Sequence, residues 1–556
     1  MDGGALNKGN GAWAWRAAPL VAVLFSALLA RIALLASGAV SFHSDEAVVA
    51  LMARHILAGA RPVFFYGQAY MGSLDAWIVA SAFQIFGESV LSIRIAQSAL
   101  YLLTVAVTYG VTRRLTGRTD AAFIAGLLLA IPPVLLALYT TATLGGYNEV
   151  LLFGGVVWWM GFSVTHNARA SLPRWLLLGV CAGVGWWSNA LIVAYALPAG
   201  LLILLDLARS IRQRDSAAIR QTLIGIGAAA LAFLVGSAPW WVFNVENNFA
   251  GLSFLTGSTG SAFAGADVFT LPLEQRLIGL FLLGLPTLIG LRFPWSPAFF
   301  APIVGVIVLA SFVIAVVRLA RRDNRIEPLM NPDARGYVLV TILIFCLIYF
   351  ASRFSFDPTG RYFLPLALPL LVAFSVGVVA LKARALQIAV VALIVGYFAA
   401  GQISAATTLP PGLTTQFNLD THIPNDDDAA LIAYLEAEGL TRGYTNYWIA
   451  FRLAFLSGER LIYSAALPYK PDLTYTPLDQ RYPFYRDAVN AAARAGELVA
   501  IVTAQIAAVD ARIAALLTAR GVTDYRITSI GGYRVYQDVP PAVAIWLSDH
   551  SNFLTG

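Results

Sequence analysis

The sequence predicts a polytopic, all-α membrane bundle followed by a C-terminal α/β domain on the outer side of the membrane. Three observations carry that expectation. Charged residues make up 12% of the 556 residues and hydrophobic ones 58%, whereas a soluble domain usually carries about 25% charge. Apolar runs of span length recur through residues 1–402 and then stop, within a chain of mean hydropathy +0.71. The charge balance turns at the same place: residues 1–402 hold 26 Lys/Arg against 16 Asp/Glu, and 403–556 hold 11 against 15. This composition excludes an ordinary soluble enzyme and a disordered chain. The basic excess lies in the apolar part, where it reports topology, so nucleic acid is not an expected partner and the lipid bilayer is.

A membrane-crossing helix needs about 20 apolar residues. Such runs occupy 17–37, 92–112, 120–138, 147–165, 175–188, 190–208, 221–241, 297–317, 336–352, 362–380 and 385–402. The first follows Lys8 and Arg16 and shows no small-residue cleavage site, so it reads as an uncleaved signal-anchor. The Gly- and Leu-rich stretch 276–291 reads either as a re-entrant or interfacial helix or as a short twelfth span, which makes 11 to 12 membrane helices. With the N-terminus inside, the inner loops 1–16, 113–119, 166–174, 209–220, 318–335 and 381–384 carry 18 Lys/Arg. The outer loops and span edges carry seven. That bias sets the orientation, and an odd number of spans puts 403–556 outside.

The long first outer loop, about 38–91, contains two helix patterns. Within 44–58, Val48, Leu51, Met52, His55 and Ile56 share one face, the pattern of a helix lying on the membrane surface. A second outer-face helix covers about 73–86, with Trp77 and Phe86 as interfacial aromatics. In the 420–556 domain, helix-like runs (427–438, 484–495, 505–519) alternate with strand-like runs (460–464, 498–503, 524–529, 533–537). Asn425 and Asp426-Asp427-Asp428 read as a helix start, where capping side chains and early acids suit the helix dipole. Cys181 and Cys346 both lie in apolar runs, which excludes a disulfide framework and a cysteine metal site.

The candidate chemistry gathers on the outer side. Asp45 and Glu46 follow the first span; a carboxylate at an apolar–aqueous boundary can act as general base toward a hydroxyl, and the same two acids can simply favour a helix N-terminus. Arg353 and Arg361 flank RFSFDPTGR at another outer edge. Their forks match lipid phosphate oxygens, or they snorkel to headgroups. Glu149, at an outer span end after Gly145-Gly146-Tyr147-Asn148, is either functional or a structural hydrogen-bond partner. Tyr66, Gln68 and Tyr70 offer polar-aromatic edges to a sugar, or anchor the loop at the interface. His43 and His55 are too few for a histidine metal site. A hard divalent cation would find oxygen ligands in Asp45, Glu46 and Glu149, while no cofactor is called for. No Walker-type loop or dinucleotide fingerprint is present, which excludes an ATP-driven pump of that kind.

FHSDEAVVALMARHIL after the first span, then FFYGQAYMGSLDAW, then a late RYFLPLALPLL, resemble the GT-C superfamily of membrane glycosyltransferases. More narrowly, they resemble its protein O-mannosyltransferase and aminoarabinose-transferase-like (family 39-like) bacterial group. The segment YTNYWIAFRLAFLSGERLIYS is similar to parts of the outer domains of bacterial members. The resemblance implies a GT-C-type fold and an inverting transferase at the outer face. It implies a polyprenyl-phosphate-linked sugar as donor and a hydroxyl of a glycan, lipid or protein as acceptor. By its motifs Asp45 matches the family's catalytic acid and Glu46 the second residue of the pair. Arg361 and Tyr362 match the Arg-Tyr pair near the donor phosphate, with Arg353 beside them, and Glu149 matches an acid on a later span. Where aminoarabinose transferases carry Lys-Pro-Pro, this chain has Met71-Gly72-Ser73, so the phosphate work falls more heavily on arginines. Three rivals stay open. One is a glycan polymerase or ligase using a pyrophosphate donor; another is a lipid or sugar transporter, whose internal repeats are not seen here; the third is a non-catalytic outer-envelope assembly protein with the C-terminal domain as a binding module.

Overall fold

Apolar periodicity dictates most of the secondary structure, and the termination of each helix follows local chemistry. The computed structural model describes residues 8–166, 171–256, 272–321, 323–352, 357–408, 413–416 and 422–555. Two compact units emerge. One comprises 1–40, 94–252 and 266–413; the other comprises 41–93, 253–265 and 414–556.

The first unit is helical. Eight of the described helices are long and apolar enough to cross a membrane, against the eleven runs read from the sequence. The other three fall short for visible reasons. The 120–138 run breaks into Thr119–Ala130 and Val134–Tyr139, because Pro132 and Pro133 lack the N–H a helix needs. The 147–165 run is one helix, Tyr147–Thr165, but it opens on the polar Tyr-Asn-Glu. The 175–188 run is Leu172–Ser188, only 17 residues long. The 276–291 stretch is a helix over Leu273–Ile278, a π-helical turn over Gly279–Gly284 and a last turn over Leu285–Leu288. It is not among the eight.

Burial separates a central helix from peripheral ones. In the span Arg361–Val379, 94% of the apolar window is buried, whereas in Ser216–Gly236 only 11% is. The latter exposes Leu231 and Val235, as a lipid-facing helix does. Helices Leu172–Ser188 and Ser216–Gly236 approach closely because Gly179 and Gly183 rest on the backbone at Ala229 and Phe233, with no room for a Cβ. Small residues at a helix contact permit that proximity where no hydrophobic force separates protein from lipid.

The second unit contains a short antiparallel hairpin, β1 (Phe64–Phe65) and β2 (Gln68–Gly72). It also holds a five-stranded sheet made of β3 (Arg442–Thr445), β4 (Ile462–Ala465), β5 (Val499–Thr503), β6 (Arg526–Ile530) and β7 (Tyr533–Gln537). The sheet order is β4-β3-β5-β7-β6, with β4, β3 and β5 parallel and β7 and β6 added antiparallel. Every residue of β5 is buried, the mark of a central strand covered on both faces. Val499 and Ile501 point into one core with Val489, Ile513 and Leu517 of the helices Pro483–Arg494 and Ala507–Ala519. Ala500 and Val502 point into the other with Leu431, Leu435, Ile449 and Leu453 of Asp428–Ala437 and Tyr447–Leu456. The expected α/β alternation is therefore present. Strand β3 and the helix Tyr447–Leu456, absent from the sequence reading, complete a parallel β-α-β unit with β4.

Two further expectations are corrected. The helix Ser44–Leu57 is not a surface helix with one wet face: Val48, Val49, Ala50, Leu51, Met52 and Ala53 are buried in succession, so both faces are covered. The aspartate run does not cap its helix. Asp427, at the N-cap, makes no side-chain cap bond and instead accepts from the Gly532 N–H at 2.7 Å. Asp428 turns inward to Arg452 at 3.2 Å and to the Tyr533 hydroxyl at 2.5 Å.

Candidate active site

Asp45 sits in the first turn of Ser44–Leu57, where an acid suits the helix dipole. Its carboxylate also has specific partners within the second unit. The Tyr447 hydroxyl donates to Oδ1 at 2.5 Å, and the Thr415 hydroxyl donates to Oδ2 at 2.9 Å. Thr415 Oγ1 in turn lies 3.0 Å from His43 Nε2. Having one proton, which goes to Asp45, that hydroxyl accepts from the imidazole. Tyr447 owes its position to the fold: it opens the helix that follows β3, and Asn446 caps that helix by accepting from the Trp448 N–H at 3.0 Å. The carboxyl ends of parallel strands are where open α/β sheets present their ligand-facing groups.

Glu46, one residue on, is fully buried, while Asp45 keeps partial exposure. Gln68 is buried and Tyr66 and Tyr70 are half-buried. Tyr66 stacks on Tyr482 at 4.7 Å and bonds His55 Nδ1 at 2.9 Å. His55 Nε2 continues to Glu459 at 3.0 Å, and the Tyr485 hydroxyl donates to the same oxygen at 2.6 Å. Burial opposes ionisation of Glu459, but those two hydrogen bonds and the charge of Arg54 outweigh it and bring its pKa down to about 2. Besides Glu459, Tyr482 and Tyr485, four further residues unforeseen from sequence belong to this neighbourhood: Thr415, Tyr447, Asp479 and Arg481. Asp479 is buried, and burial, offset in part by Arg481 and reinforced by the charge of Asp45, raises it to about 7. Only the similarity of the 444–464 segment hinted at Tyr447.

In the first unit, Arg361 follows Gly360, whose φ of +76° turns the chain into the central helix. Asp357 shapes the preceding turn by accepting from the Thr359 N–H at 3.1 Å and its hydroxyl at 2.7 Å. Arg292 braces the same turn through Pro358 O and bonds Thr287 at 3.1 Å. The Arg361 guanidinium is part-exposed, lies 4.9 Å from the Tyr362 ring, donates to the Tyr362 hydroxyl at 3.1 Å and stands 3.9 Å from Asp357. Tyr139 and Tyr147, edge-to-face at 4.9 Å, lie within its electrostatic reach. Glu149 is fully buried beside Asn148, whose amide donates to Gln97 Oε1 at 2.9 Å. Arg31 and Arg94 converge on the nearby turn at Thr140 and Thr141. Arg353 lies outside the described residues. Among the described residues, no three His, Cys, Asp or Glu side chains are grouped to hold a metal ion.

The Dolichyl-phosphate-mannose-protein mannosyltransferase family model matches residues 72–243, a range that includes Glu149 but neither Asp45 nor Arg361. The fold is similar to the oligosaccharyltransferase AglB of Archaeoglobus fulgidus in complex with an inhibitory peptide and a dolichol-phosphate. That match has 13% identity, covers 95% of this chain and 75% of that one, and has a TM-score of 0.50. A second structure of the Archaeoglobus fulgidus oligosaccharyltransferase, tethered to an acceptor peptide, aligns at 11% identity over 95% and 74%, also with a TM-score of 0.50. ArnT from Cupriavidus metallidurans, bound to undecaprenyl phosphate, aligns at 15% identity over 95% of this chain and 99% of that one, with a TM-score of 0.47. No curated protein matches by sequence. The chain thus has a multi-pass helical bundle with a small C-terminal α/β unit, the GT-C type of fold, and its segment 72–243 is similar to the protein mannosyltransferases.

Proposed function

We propose that the protein moves a sugar, with inversion, from a polyprenyl-phosphate donor to a hydroxyl acceptor at the outer face of the membrane. The observation that carries this reading is the Asp45 carboxylate, part-exposed and oriented by hydroxyl donors on both oxygens. In such a transfer the acceptor hydroxyl loses its proton as it attacks the anomeric carbon, and the bond to the phosphate oxygen breaks. Asp45 takes the proton, a role typically worth about 10²–10⁴-fold in rate. Tyr447 and Thr415 hold the carboxylate in one orientation, so the free lone pairs face the acceptor. Glu46 is buried and supports the helix rather than touching substrate. Negative charge grows on the departing phosphate, and Arg361 with Tyr362 stabilises it. Removing one such donor in a water-poor site costs about 10²–10³-fold. The polyprenyl tail stays in lipid, so no nucleotide-sugar site is required. Tyr66, Gln68, Tyr70 and Glu149 are assigned to the sugar and acceptor, and the Arg353 segment to the donor side. AglB, one of whose structures contains dolichol-phosphate, supports a lipid phosphate as the leaving group.

The test is consumption of a panel of polyprenyl-phosphate sugars by purified wild type, Asp45→Asn and Arg361→Ala. One donor should be consumed by wild type, transfer should fall about 10²–10⁴-fold in Asp45→Asn with donor binding retained, and Arg361→Ala should lose about 10²–10³-fold in kcat/KM. Full activity in Asp45→Asn removes the base assignment. No turnover of any monophosphate donor by folded wild type turns the reading to pyrophosphate-linked donors.

A further inference from the structure

Arg481 follows β4 in the second unit, and it is a cation without an ion-pair partner among the described residues. Its guanidinium carbon lies 5.5 Å from the Tyr447 ring and 6.0 Å from the Phe65 ring. With the Gln68 amide turned to suit both sides, the Gln68 carbonyl accepts from its two terminal nitrogens at 2.5 and 2.9 Å. Its Nε is buried and has no hydrogen-bond partner. The hairpin turn between β1 and β2 is shaped around it: Gly67, at φ +73°, would place a Cβ 3.2 Å from the Arg481 Cα. Asp479 is two residues away and feels the charge of the guanidinium, yet the two form no ion pair among the described residues, and its Oδ2 is likewise buried and without a hydrogen-bond partner.

A guanidinium drawn largely out of water, held by an amide carbonyl and aromatic rings, and reached by the charge of Asp45 but by no carboxylate close enough to pair among the described residues, is costly. It presents five N–H donors in a planar fork that matches phosphate and carboxylate oxygens, and part of that fork is unused. The same Tyr447 that bounds it donates to Asp45, so a group seated on Arg481 lies one tyrosine away from the proposed base. We propose that Arg481, with Gln68 holding its fork in place, is the seat for an oxyanion, a phosphate or carboxylate group, carried by a substrate. This rests on Asp45 being the base of the transfer. The oxyanion belongs either to the donor phosphate or to an anionic acceptor.

The experiment uses the full chain in detergent, in an Arg361→Ala background so that the other arginine's response to phosphate is removed. Inorganic phosphate is the probe, and thermal stability is the readout. Phosphate should raise the Tm of the Arg481-containing protein and of its Asp45→Asn form alike, and should leave that of Arg481→Gln unchanged. In the otherwise wild-type enzyme, Arg481→Gln should raise one KM by about tenfold or more. A raised donor KM assigns the donor phosphate; a raised acceptor KM with the donor KM unchanged assigns an anionic acceptor. Should Arg481→Gln not fold, Arg481→Lys keeps the charge but loses the fork, and should keep the phosphate response while raising the same KM. Equal phosphate responses with and without Arg481, or unchanged values of both KM, overturn the proposal and leave Arg481 as a pin for the 64–72 hairpin. An Asp45→Asn enzyme that stays active while the phosphate response persists overturns the base instead, so the two failures are distinguishable.

Discussion

Asp45 and Glu46 are chemically alike and adjacent, yet one helical step of about 100° separates their fates. Glu46 turns into the packed interior and is fully buried, whereas Asp45 meets two hydroxyls and keeps partial exposure. If Tyr447 acts only by orienting Asp45, its removal should cost what a hydrogen bond to a charged group is worth, about 1.5–3 kcal/mol, or roughly 10- to 100-fold in kcat/KM. The sharper expectation is non-additivity. Tyr447→Phe should slow the wild type by that amount and slow the residual reaction of Asp45→Asn not at all, since residues acting as one unit do not add. A full second loss in the double variant would give Tyr447 a role of its own.

Among the elements of the second unit, the helix Ser44–Leu57, the β1–β2 hairpin and the segment 470–485 share one buried polar network. Glu459 anchors one part through His55, Tyr485 and Arg54. Asp479 is the weak point of the other. Its pKa is raised from 3.8 to about 7, chiefly by burial. The folded state therefore holds a proton that the unfolded chain releases, and stability falls as pH rises from about 4 to about 7. Asparagine carries no such penalty. Asp479→Asn should match the wild-type Tm near pH 4 and exceed it at pH 8, the gap opening as pH rises between the two. Melting curves of both proteins across that range decide it, and a variant less stable than wild type at pH 8 contradicts the assignment.

For the whole molecule, orientation in the membrane is the property that the proposed function most depends on, because the proposed polyprenyl-phosphate donor and its acceptor must meet on one side. The Lys/Arg bias leads to the expectation that 403–556 lies outside. With Cys181 and Cys346 replaced by serine, Glu497→Cys should react with a membrane-impermeant maleimide in intact cells. Gln213→Cys, in an inner loop, should react only after permeabilisation. The reverse pattern would invert the topology and exclude an outer-face reaction.

Hydropathy alone was enough for a polytopic bundle, since lipid demands apolar runs of span length and nothing else in the chain can imitate them. Composition marked the change to an α/β unit after residue 402, and the helices near 428–437, 483–494 and 507–519 were legible because a 3.6-residue period is a local signal. The Asp45-Glu46 pair and the Arg361-Tyr362 pair stood out as short motifs. Other features were decided by tertiary structure. The 44–57 helix is covered on both faces because neighbours distant in sequence pack there, which its own periodicity cannot report. Thr415 and Tyr447 reach Asp45 from 370 and 402 residues along the chain, and Arg481 meets Gln68 across a comparable span. A threonine or tyrosine carries no mark of such service in its local sequence. Its role comes from the hydrogen bond it makes, and that bond exists only once β3, the helix after it and the first outer loop have packed into one unit.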